Sequence, residues 1–387
     1  MTGPYGVDNL PYGVFDTGDG RRRIGVRLGD FVLDCDRAEA AELILAGGAL
    51  RARSLNVLMA LGPAQWSAVR ARLVELVTAY DRLDTLLVPL AEVRLHLPFE
   101  VADYVDFYAS EHHAANVGRI LRPGQPALLP NWRHLPIGYH GRAGTVVAGG
   151  TDIVRPVGQL GAGEFGPSAR LDLEAEVGFV VGVPTDLGER VPVADFADHV
   201  FGVVLVNDWS ARDIQAWEYQ PLGPFLGKSF ATSVSPWVTP LAALEHAWTP
   251  APEQDPPVHD YLADAGRVGL DLRLRVDCNG TTISEPPFAG MYWTPAQQLA
   301  HLTVNGASLR TGDLYASGTV SGPHRRQTGS LLELTSNGTD PVRLDDGSAR
   351  GYLADGDTVT ITATAPGAGG ALIALGDVTG TIRPAKV

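Results

Sequence analysis

From Val101 to the end of the chain, short apolar segments alternate with turns rich in glycine and proline, and this pattern constrains the fold most. The 387 residues include 45 glycines and 28 prolines, with no internal repeat. Few long helical patterns intervene, which favours short strands joined by tight turns. The sequence therefore predicts a mainly β fold with some α-helix. The expected strands are 145–148, 171–183, 201–206, 268–279, 331–334 and 358–362.

The first hundred residues have a different pattern, with a short hairpin followed by helical periodicity. The expected elements are strands at 22–28 and 31–34 and helices at 38–46 and 63–86. The segment HLPF at 96–99 resembles a linker. Two domains are therefore expected, a small one at 1–99 and a larger one at 100–387.

Composition excludes several classes of protein. The net charge of -14, without clustered lysine or arginine, argues against a nucleic-acid partner. No apolar run approaches membrane-spanning length, and the first residues have neither a charged nor an apolar signal region. Cys35 and Cys278 offer no disulfide framework, which fits a reducing compartment. We therefore expect a cytoplasmic protein without a nucleic-acid or membrane partner.

The segment 207–232 carries many chemically active side chains directly after an apolar strand. A helix is predicted over 209–219, with Asp208 or Ser210 as its N-cap. On such a helix one stripe holds Asp208, Arg212, Gln215 and Tyr219. A solvated polar face is the simpler explanation of this stripe. However, Lys228 follows in an apolar, proline- and glycine-rich loop, which favours a functional site.

Alternating residues in LDLEAEV at 171–177 place Asp172, Glu174 and Glu176 on one face of a predicted strand. Like charges side by side repel each other unless water or a cation neutralises them. Asp106 and Asp208 are further candidates, and carboxylate oxygens suit Mg²⁺ or Ca²⁺. An exposed strand face explains the first three equally well, and spacing does not show whether the carboxylates converge.

Two adjacent histidines offer a general base, because histidine titrates near neutral pH. His112 and His113 lie in the first turn of a helix predicted over 110–121, with Ser110 as its N-cap. The local pattern does not choose between them. Glu333 is expected in an apolar strand, where a histidine is a suitable partner for a buried carboxylate.

Long segments of the chain resemble the fumarylacetoacetase family over nearly the whole length. The matching segments are NLPYGVF at 9–15, DFY at 106–108, ALLPNWRHLPIGYHGRAG at 127–144, LDLEAEVGF at 171–179, NDWSARDIQAWEYQPLGPFLGKSF at 207–230, MYWT at 291–294 and ASGTVSG at 316–322. The resemblance implies a small N-terminal SH3-like barrel domain and a larger C-terminal β-rich catalytic domain, of the sandwich or roll type. It also implies a homodimer.

The resemblance further assigns roles to individual residues. The implied residues around the metal are Asp106, Glu174, Glu176, Asp208, Lys228 and Thr232. The implied catalytic residues are His113 as general base, Glu333 as its orienting partner, and Arg212, Gln215 and Lys228 as stabilisers of negative charge. The implied substrate-binding residues are Tyr108, Arg122, Tyr139, Gln215, Tyr219 and Thr319.

The activity implied by the resemblance is metal-dependent hydrolysis of a carbon–carbon bond. The substrate would be 4-fumarylacetoacetate, a β-diketo acid, and the products fumarate and acetoacetate, in the last step of tyrosine and phenylalanine degradation. Related acylpyruvases, decarboxylases and hydratases share the metal-binding scaffold but do not need the pair His113 and Glu333. A metal-stabilised binding module without turnover is the alternative from a different class.

Overall fold

A computed structural model describes residues 3–264, 266 and 268–386. The predicted domains 1–99 and 100–387 include residues 1, 2, 265, 267 and 387, which lie outside the described residues. The N-terminal elements are β1 (Tyr12–Asp16), β2 (Arg23–Leu28), β3 (Phe31–Asp34), α1 (Cys35–Ala40), α2 (Asn56–Met59), α3 (Pro63–Ala79), β4 (Leu87–Pro89) and β5 (Arg94–His96).

The predicted N-terminal hairpin is confirmed, because β2 and β3 pair in antiparallel fashion around a turn in which Gly29 has a φ of 59°. The first predicted helix is shifted, and the second begins at Pro63 as predicted but is shorter. The first helix, α1, starts earlier than expected because the side chain of Asp34 caps it by accepting from the backbone of Arg37. The second, α3, ends at Ala79, where the backbone of Tyr80 becomes extended.

The C-terminal part is rich in short strands, as expected. Its strands are β6 (Tyr104–Phe107), β7 (Gly138–His140), β8 (Val146–Ala148), β9 (Ile153–Val154), β10 (Val157–Gly161), β11 (Glu164–Pro167), β12 (Leu171–Asp172), β13 (Ala175–Val181), β14 (Val200–Asp208), β15 (Ser210–Ala211), β16 (Thr232–Val234), β17 (Trp237–Pro240), β18 (Trp248–Pro250), β19 (Val268–Leu270), β20 (Arg273–Cys278), β21 (Thr281–Ser284), β22 (Leu314–Ala316), β23 (Val342–Arg343), β24 (Ala349–Arg350), β25 (Thr358–Pro366) and β26 (Leu372–Arg383). Its helices are α4 (Glu111–Leu121), α5 (Phe196–His199), α6 (Arg212–Glu218), α7 (Pro295–Thr303) and α8 (Leu331–Leu334).

A large mixed sheet joins the two parts of the chain. Its strand order is β4-β3-β2-β1-β17-β14-β13-β22-β6-β7. In addition, β5 pairs with β1, β16 pairs with β14, and β8 pairs with β16. The mainly β class with a small N-terminal and a larger C-terminal domain is confirmed. The N-terminal strands pair in the order β5-β1-β2-β3-β4, and within the described residues no pairing between β4 and β5 closes them into a barrel. β1 also pairs with β17 of the larger domain.

The two faces of this sheet belong to different hydrophobic cores. One face contributes Val180, Val204 and Val206 to the core of the N-terminal domain. The other contributes Phe179 and Leu205 to the core of the C-terminal domain, which also contains the sheet β21-β20-β25-β26-β9. The central strands are therefore buried on both sides, which explains their continuous apolar sequences.

Three predicted elements differ from the structure around the polar residues. The strand predicted at 171–183 is divided into β12 and β13. The segment 331–334 is a helix, not a strand, because Ser330 Oγ accepts from the backbone of Glu333 and caps the first turn. The helix predicted at 209–219 starts at Arg212, since β14 extends to Asp208 and β15 pairs with β12. Neither Asp208 nor Ser210 is therefore its N-cap.

The structure bears on membrane association in one respect. Within the described residues, every helix is too short or too polar to cross a bilayer.

Candidate active site

A cavity of about 300 Å³ opens between β6, α4, α6 and the loop after β22. Eleven predicted site residues line it: Asp106, Tyr108, His113, Arg122, Tyr139, Glu174, Arg212, Gln215, Tyr219, Lys228 and Thr319. The other four, Glu176, Asp208, Thr232 and Glu333, are buried and cluster with or contact residues that line the cavity. The fold therefore brings together all the predicted site residues, which come from distant parts of the chain.

Three buried carboxylates form a compact cluster at one end of the cavity. Asp106, Glu176 and Asp208 each offer an oxygen atom within 4.8 Å of the others. Strand register explains this proximity. Asp106 pairs with Ala316, and Ala316 pairs with Gly178, so these residues share one face of the sheet with Glu176 two positions away. Ala316 and Gly178 have small or no side chains, so the carboxylates beside them can approach one another.

Glu176 lacks the partners that a buried carboxylate needs. It is fully buried, and within the described part of the chain neither of its carboxylate oxygens has a hydrogen-bond partner. Burial, and then the negative charges of Asp106 and Asp208, raise the pKa of Glu176 well above its usual value. Buried unsatisfied oxygens grouped in this way match the ligands that a hard divalent cation prefers.

Glu174 lies outside the compact cluster and pairs with two basic residues. Lys228 Nζ donates to Oε2 of Glu174, and Arg212 Nη2 lies 2.7 Å from its Oε1. Burial by itself would raise the pKa of Glu174, but the charges of Lys228 and Arg212 outweigh burial and lower it. Glu174 is therefore ionised and faces the cavity beside the triad.

Lys228 and Thr232 orient the carboxylate of Asp208. Lys228 Nζ donates to Oδ2 of Asp208 at 2.8 Å, and Thr232 Oγ1 donates to Oδ1 at 2.9 Å. Burial tends to lower the pKa of Lys228, but Asp208 and Glu174 outweigh it and raise the pKa, which keeps the ammonium charged. A charged ammonium has no lone pair for a metal, so its contribution next to a cation is to position the ligand oxygens.

Arg212 links the carboxylates to the cavity. Its Nε donates to Oδ2 of Asp172 at 2.8 Å, and its Nη1 donates to Oε1 of Gln215 at 3.1 Å. Asp172 also accepts from the backbone of Leu331 and Leu332 at the start of α8. The negative charge of Asp172 is thus neutralised by an arginine and a helix terminus, and not by the cation that its alternation with Glu174 suggested.

The structure distinguishes the two histidines that the sequence pattern left equivalent. His113 is buried, lines the cavity and lies with Nδ1 2.7 Å from Oε2 of Glu333, whereas His112 is half-buried and is not among the lining residues. Burial tends to raise the pKa of Glu333, but His113 and further hydrogen bonds outweigh it and lower it. An ionised carboxylate can only accept, so Nδ1 carries a proton and Nε2 can act as a base.

Three residues that sequence reasoning missed hold Glu333 in place. Asn116 Nδ2 donates to Oε1 at 2.9 Å, and the hydroxyls of Ser321 and Ser330 donate to Oε2 at 3.0 and 2.8 Å. Two of these residues had a usable signal. Asn116 follows His113 by three positions on α4, so both side chains lie on one helical face, and Ser330 precedes Glu333 in a capping pattern.

The walls of the cavity combine apolar surface with unpaired polar atoms. Tyr108 packs edge-on against His113, with ring centroids 5.4 Å apart, and Tyr139 donates its hydroxyl to Asp106 Oδ2 at 2.7 Å. Thr319 Oγ1 and Arg122 Nε are buried without hydrogen-bond partners among the described residues. These two atoms can therefore bind a polar group that enters the cavity.

The arrangement combines the elements of hydrolytic chemistry. A buried carboxylate orients a histidine base on one side of the cavity. A carboxylate cluster suited to a cation contributes Asp106 to the same cavity, which Arg212 and Lys228 also line. Such a site can deprotonate water and stabilise the negative charge that develops on an attacked carbonyl.

Comparison with protein families gives two matches that together cover most of the chain. Residues 8–98 match the family model described as Fumarylacetoacetase N-terminal, and residues 103–383 match Fumarylacetoacetate (FAA) hydrolase C-terminal.

Curated relatives match over almost their full length. Human fumarylacetoacetase is 45% identical, with 98% of this chain and 96% of the relative covered. The enzyme of the same name from Caenorhabditis elegans is 45% identical, with coverage of 98% and 97%. That from Arabidopsis thaliana is 43% identical, with coverage of 98% and 95%.

Solved structures support the fold at low sequence identity. Fumarylacetoacetate hydrolase from Exiguobacterium antarcticum superposes with a TM-score of 0.58 at 17% identity, covering 97% of this chain and 99% of the other. Maleylpyruvate hydrolase from Sphingobium sp. SYK-6 gives 0.54 at 17% identity, with coverage of 97% and 100%. Together with the family models and the curated relatives, these findings establish that the chain belongs to the fumarylacetoacetase family.

Proposed function

We propose that this chain hydrolyses 4-fumarylacetoacetate to fumarate and acetoacetate, the last step of tyrosine and phenylalanine degradation. The observation that carries the proposal is the convergence of the His113–Glu333 pair and the acidic triad on one cavity. It occurs in a chain that is 45% identical to human fumarylacetoacetase. Fumarylacetoacetate offers two keto oxygens, which suit a cation, and a carboxylate at each end, which suits the basic residues that line this cavity.

The triad of Asp106, Glu176 and Asp208 would hold a divalent cation, with Glu174 beside them. When bound, the cation would supply Lewis-acid polarisation of the diketone oxygens. Five buried carboxylates lie in this region, and Arg142, Arg212 and Lys228 bring three positive charges, which leaves an excess of two negative charges. This excess matches one divalent ion. The five carboxylates are Asp106, Asp172, Glu174, Glu176 and Asp208.

His113 begins the reaction by removing a proton from water through Nε2, while Glu333 stabilises the imidazolium that forms. The resulting hydroxide forms a bond to the carbonyl carbon next to the fumaryl group, and the electron pair of that carbonyl moves to its oxygen. Arg212, Gln215 and Lys228 line the same cavity and are the donors proposed to stabilise this oxyanion.

Collapse of the oxyanion breaks the carbon–carbon bond and releases the fumaryl half as its acid. The electron pair stays on the departing carbon, which takes up a proton and becomes the methyl group of acetoacetate. The proton that His113 removed from water balances this protonation. Arg122 and Thr319, with their unpaired polar atoms, are proposed to bind polar groups of the substrate, with Tyr108, Tyr139 and Tyr219 around them.

The cation is proposed to be Mg²⁺ or Ca²⁺, because the available ligands are carboxylate oxygens and both ions accept them. Both cysteines are buried and free, which supports the proposal of a cytoplasmic enzyme. A homodimer is proposed from the family resemblance.

The test is hydrolysis of fumarylacetoacetate by the purified protein, followed by loss of substrate absorbance and identification of both products by NMR. The wild type is expected to produce fumarate and acetoacetate in equal amounts. H113Q is expected to lose turnover while still binding a cation. H112Q is the matched control, because His112 is adjacent and is not among the residues that line the cavity, and it is expected to retain activity.

The outcome that contradicts the proposal is a folded, cation-loaded wild type that binds fumarylacetoacetate without converting it. That result would favour the alternative of a metal-stabilised binding module. Conversion to products other than fumarate and acetoacetate would instead favour a related hydratase or decarboxylase.

A further inference from the structure

Arg142 has a buried position next to the acidic triad, and the proposed reaction assigns it no chemical step. Its Nη2 lies 2.8 Å from Oδ2 of Asp106 and 2.6 Å from Oδ2 of Asp208. Its side chain is 5% exposed, and its guanidinium carbon lies 4.9 and 5.0 Å from the ring centres of Tyr104 and Tyr139. A single guanidinium nitrogen thus bridges two carboxylates of the proposed cation site.

The backbone at Arg142 is unusual for an arginine. Its φ of 63° and ψ of 21° are left-handed, a conformation that is sterically unfavourable for a residue with a Cβ. It follows Gly141, whose φ is also positive at 136°. The fold therefore retains an arginine in a position that disfavours side chains, and such positions concentrate at functional sites.

The three basic residues near the carboxylates have overlapping but different sets of partners. Lys228 contacts Glu174 and Asp208, and Arg212 contacts Glu174 and Asp172. Among the described residues, Asp106 has a single ion pair, and that pair is with Arg142. Loss of this charge would leave Asp106 and Asp208 facing each other and Glu176 in a buried setting, where uncompensated negative charges are costly.

We infer that Arg142 is a permanent counter-ion of the cation site, which holds Asp106 and Asp208 together when no cation is bound and weakens cation binding through its own charge. This inference rests on the proposed cation site and extends it to a residue outside the implied ligand set. It has two consequences. The stability of the fold in the absence of a cation depends on Arg142, and a variant without this charge depends on a bound cation for its stability.

The first test compares melting temperatures in EDTA and in saturating Mg²⁺ or Ca²⁺. R142Q is expected to melt lower than the wild type in EDTA by roughly 3 °C or more, and to recover most of this difference with the cation. R350Q is the matched control, because Arg350 makes a two-point ion pair with Asp357 and neither residue is among those that line the cavity. Its loss of stability is expected to be the same in both conditions.

The second test is the affinity for the same cation, measured by calorimetry. R142Q is expected to bind on the order of tenfold more tightly than the wild type, because one positive charge near the cation is removed. R142K retains the charge, and it is expected to keep a wild-type gain in melting temperature on cation addition. If R142Q does not fold in EDTA, the lysine variant still decides whether the charge is responsible.

Two results would overturn the inference. An equal loss of stability for R142Q in EDTA and in the cation would show a structural arginine with no relation to the site. A large cation-dependent gain for R142K would show that charge is not the cause. A wild type that binds no cation in calorimetry would overturn the proposed cation site itself, which separates that failure from the failure of Arg142.

Discussion

Replacement of Glu333 by glutamine tests the proposed catalytic pair with little change in shape. In the structure Glu333 Oε2 accepts from His113 Nδ1, Ser321 and Ser330, while Oε1 accepts from Asn116. A glutamine can place its carbonyl oxygen at the position of Oε2 and retain three of these four hydrogen bonds. The variant removes the negative charge next to the imidazole and is expected to remain folded.

The expected size of the effect follows from the charge that is removed. The His113 ring and the Glu333 carboxylate are in contact and both are buried. A unit charge pair at about 4 Å, with an effective dielectric constant of about 20, interacts by about 4 kcal/mol. Loss of this stabilisation from the imidazolium that forms during water activation corresponds to a fall in kcat of about 10³.

The assay is steady-state hydrolysis of fumarylacetoacetate at saturating cation, with the melting temperature measured on the same samples. E39Q is a matched control, because Glu39 is also buried and accepts from the backbone of Ala46, Gly48 and Leu50 in the N-terminal domain. E39Q is expected to lower stability and leave kcat unchanged. A folded E333Q with kcat within tenfold of the wild type would refute the role given to Glu333.

Three further predictions concern pH, backbone geometry and substrate binding. The folded-state pKa of Glu333 is below its usual 4.5, so its ionised form stabilises the fold above about pH 4.5. The difference in unfolding free energy between wild type and E333Q, measured in urea, should therefore shrink as the pH falls below that value. A constant difference would contradict this prediction. Gly318→Ala should destabilise the fold by about 2 kcal/mol or more, because the φ of Gly318 is 75° and a Cβ there would collide with the carbonyl oxygen of Phe107. An unchanged melting temperature would show that this position does not require glycine. R122Q should raise KM about tenfold or more and change kcat less, because a hydrogen bond to a charged group contributes about 1.5–3 kcal/mol to binding. An unchanged KM would show that Arg122 does not bind the substrate.

Periodicity was enough to predict the β-rich class and the buried central strands. The continuous apolar sequence at 201–206 required burial on both faces, and β14 has it. Periodicity failed where a local side chain decides the element. Ser330 caps a helix at 331–334, although three leucines in the four residues LLEL are typical of a buried strand.

The convergence of the site could not be predicted from spacing, because it depends on strand pairing between distant segments. Asp106 reaches Glu176 through the parallel pairing of β6 with β22 and the antiparallel pairing of β22 with β13. The family resemblance supplied the residue roles, but it gave no role to Arg142. A buried arginine in a glycine-rich turn has no periodic signal, and its partners become visible in the folded chain.

Cation-dependent hydrolysis is tested most directly by one titration in which cation occupancy and turnover are measured on the same chelated protein. Chelation is expected to abolish fumarylacetoacetate hydrolysis, and stepwise addition of Mg²⁺ or Ca²⁺ is expected to restore it in proportion to occupancy, reaching full activity at one bound ion per chain. E176Q is expected to bind the ion weakly and to need a higher concentration for the same occupancy. Full turnover in the chelated protein, with no bound ion, would contradict the account.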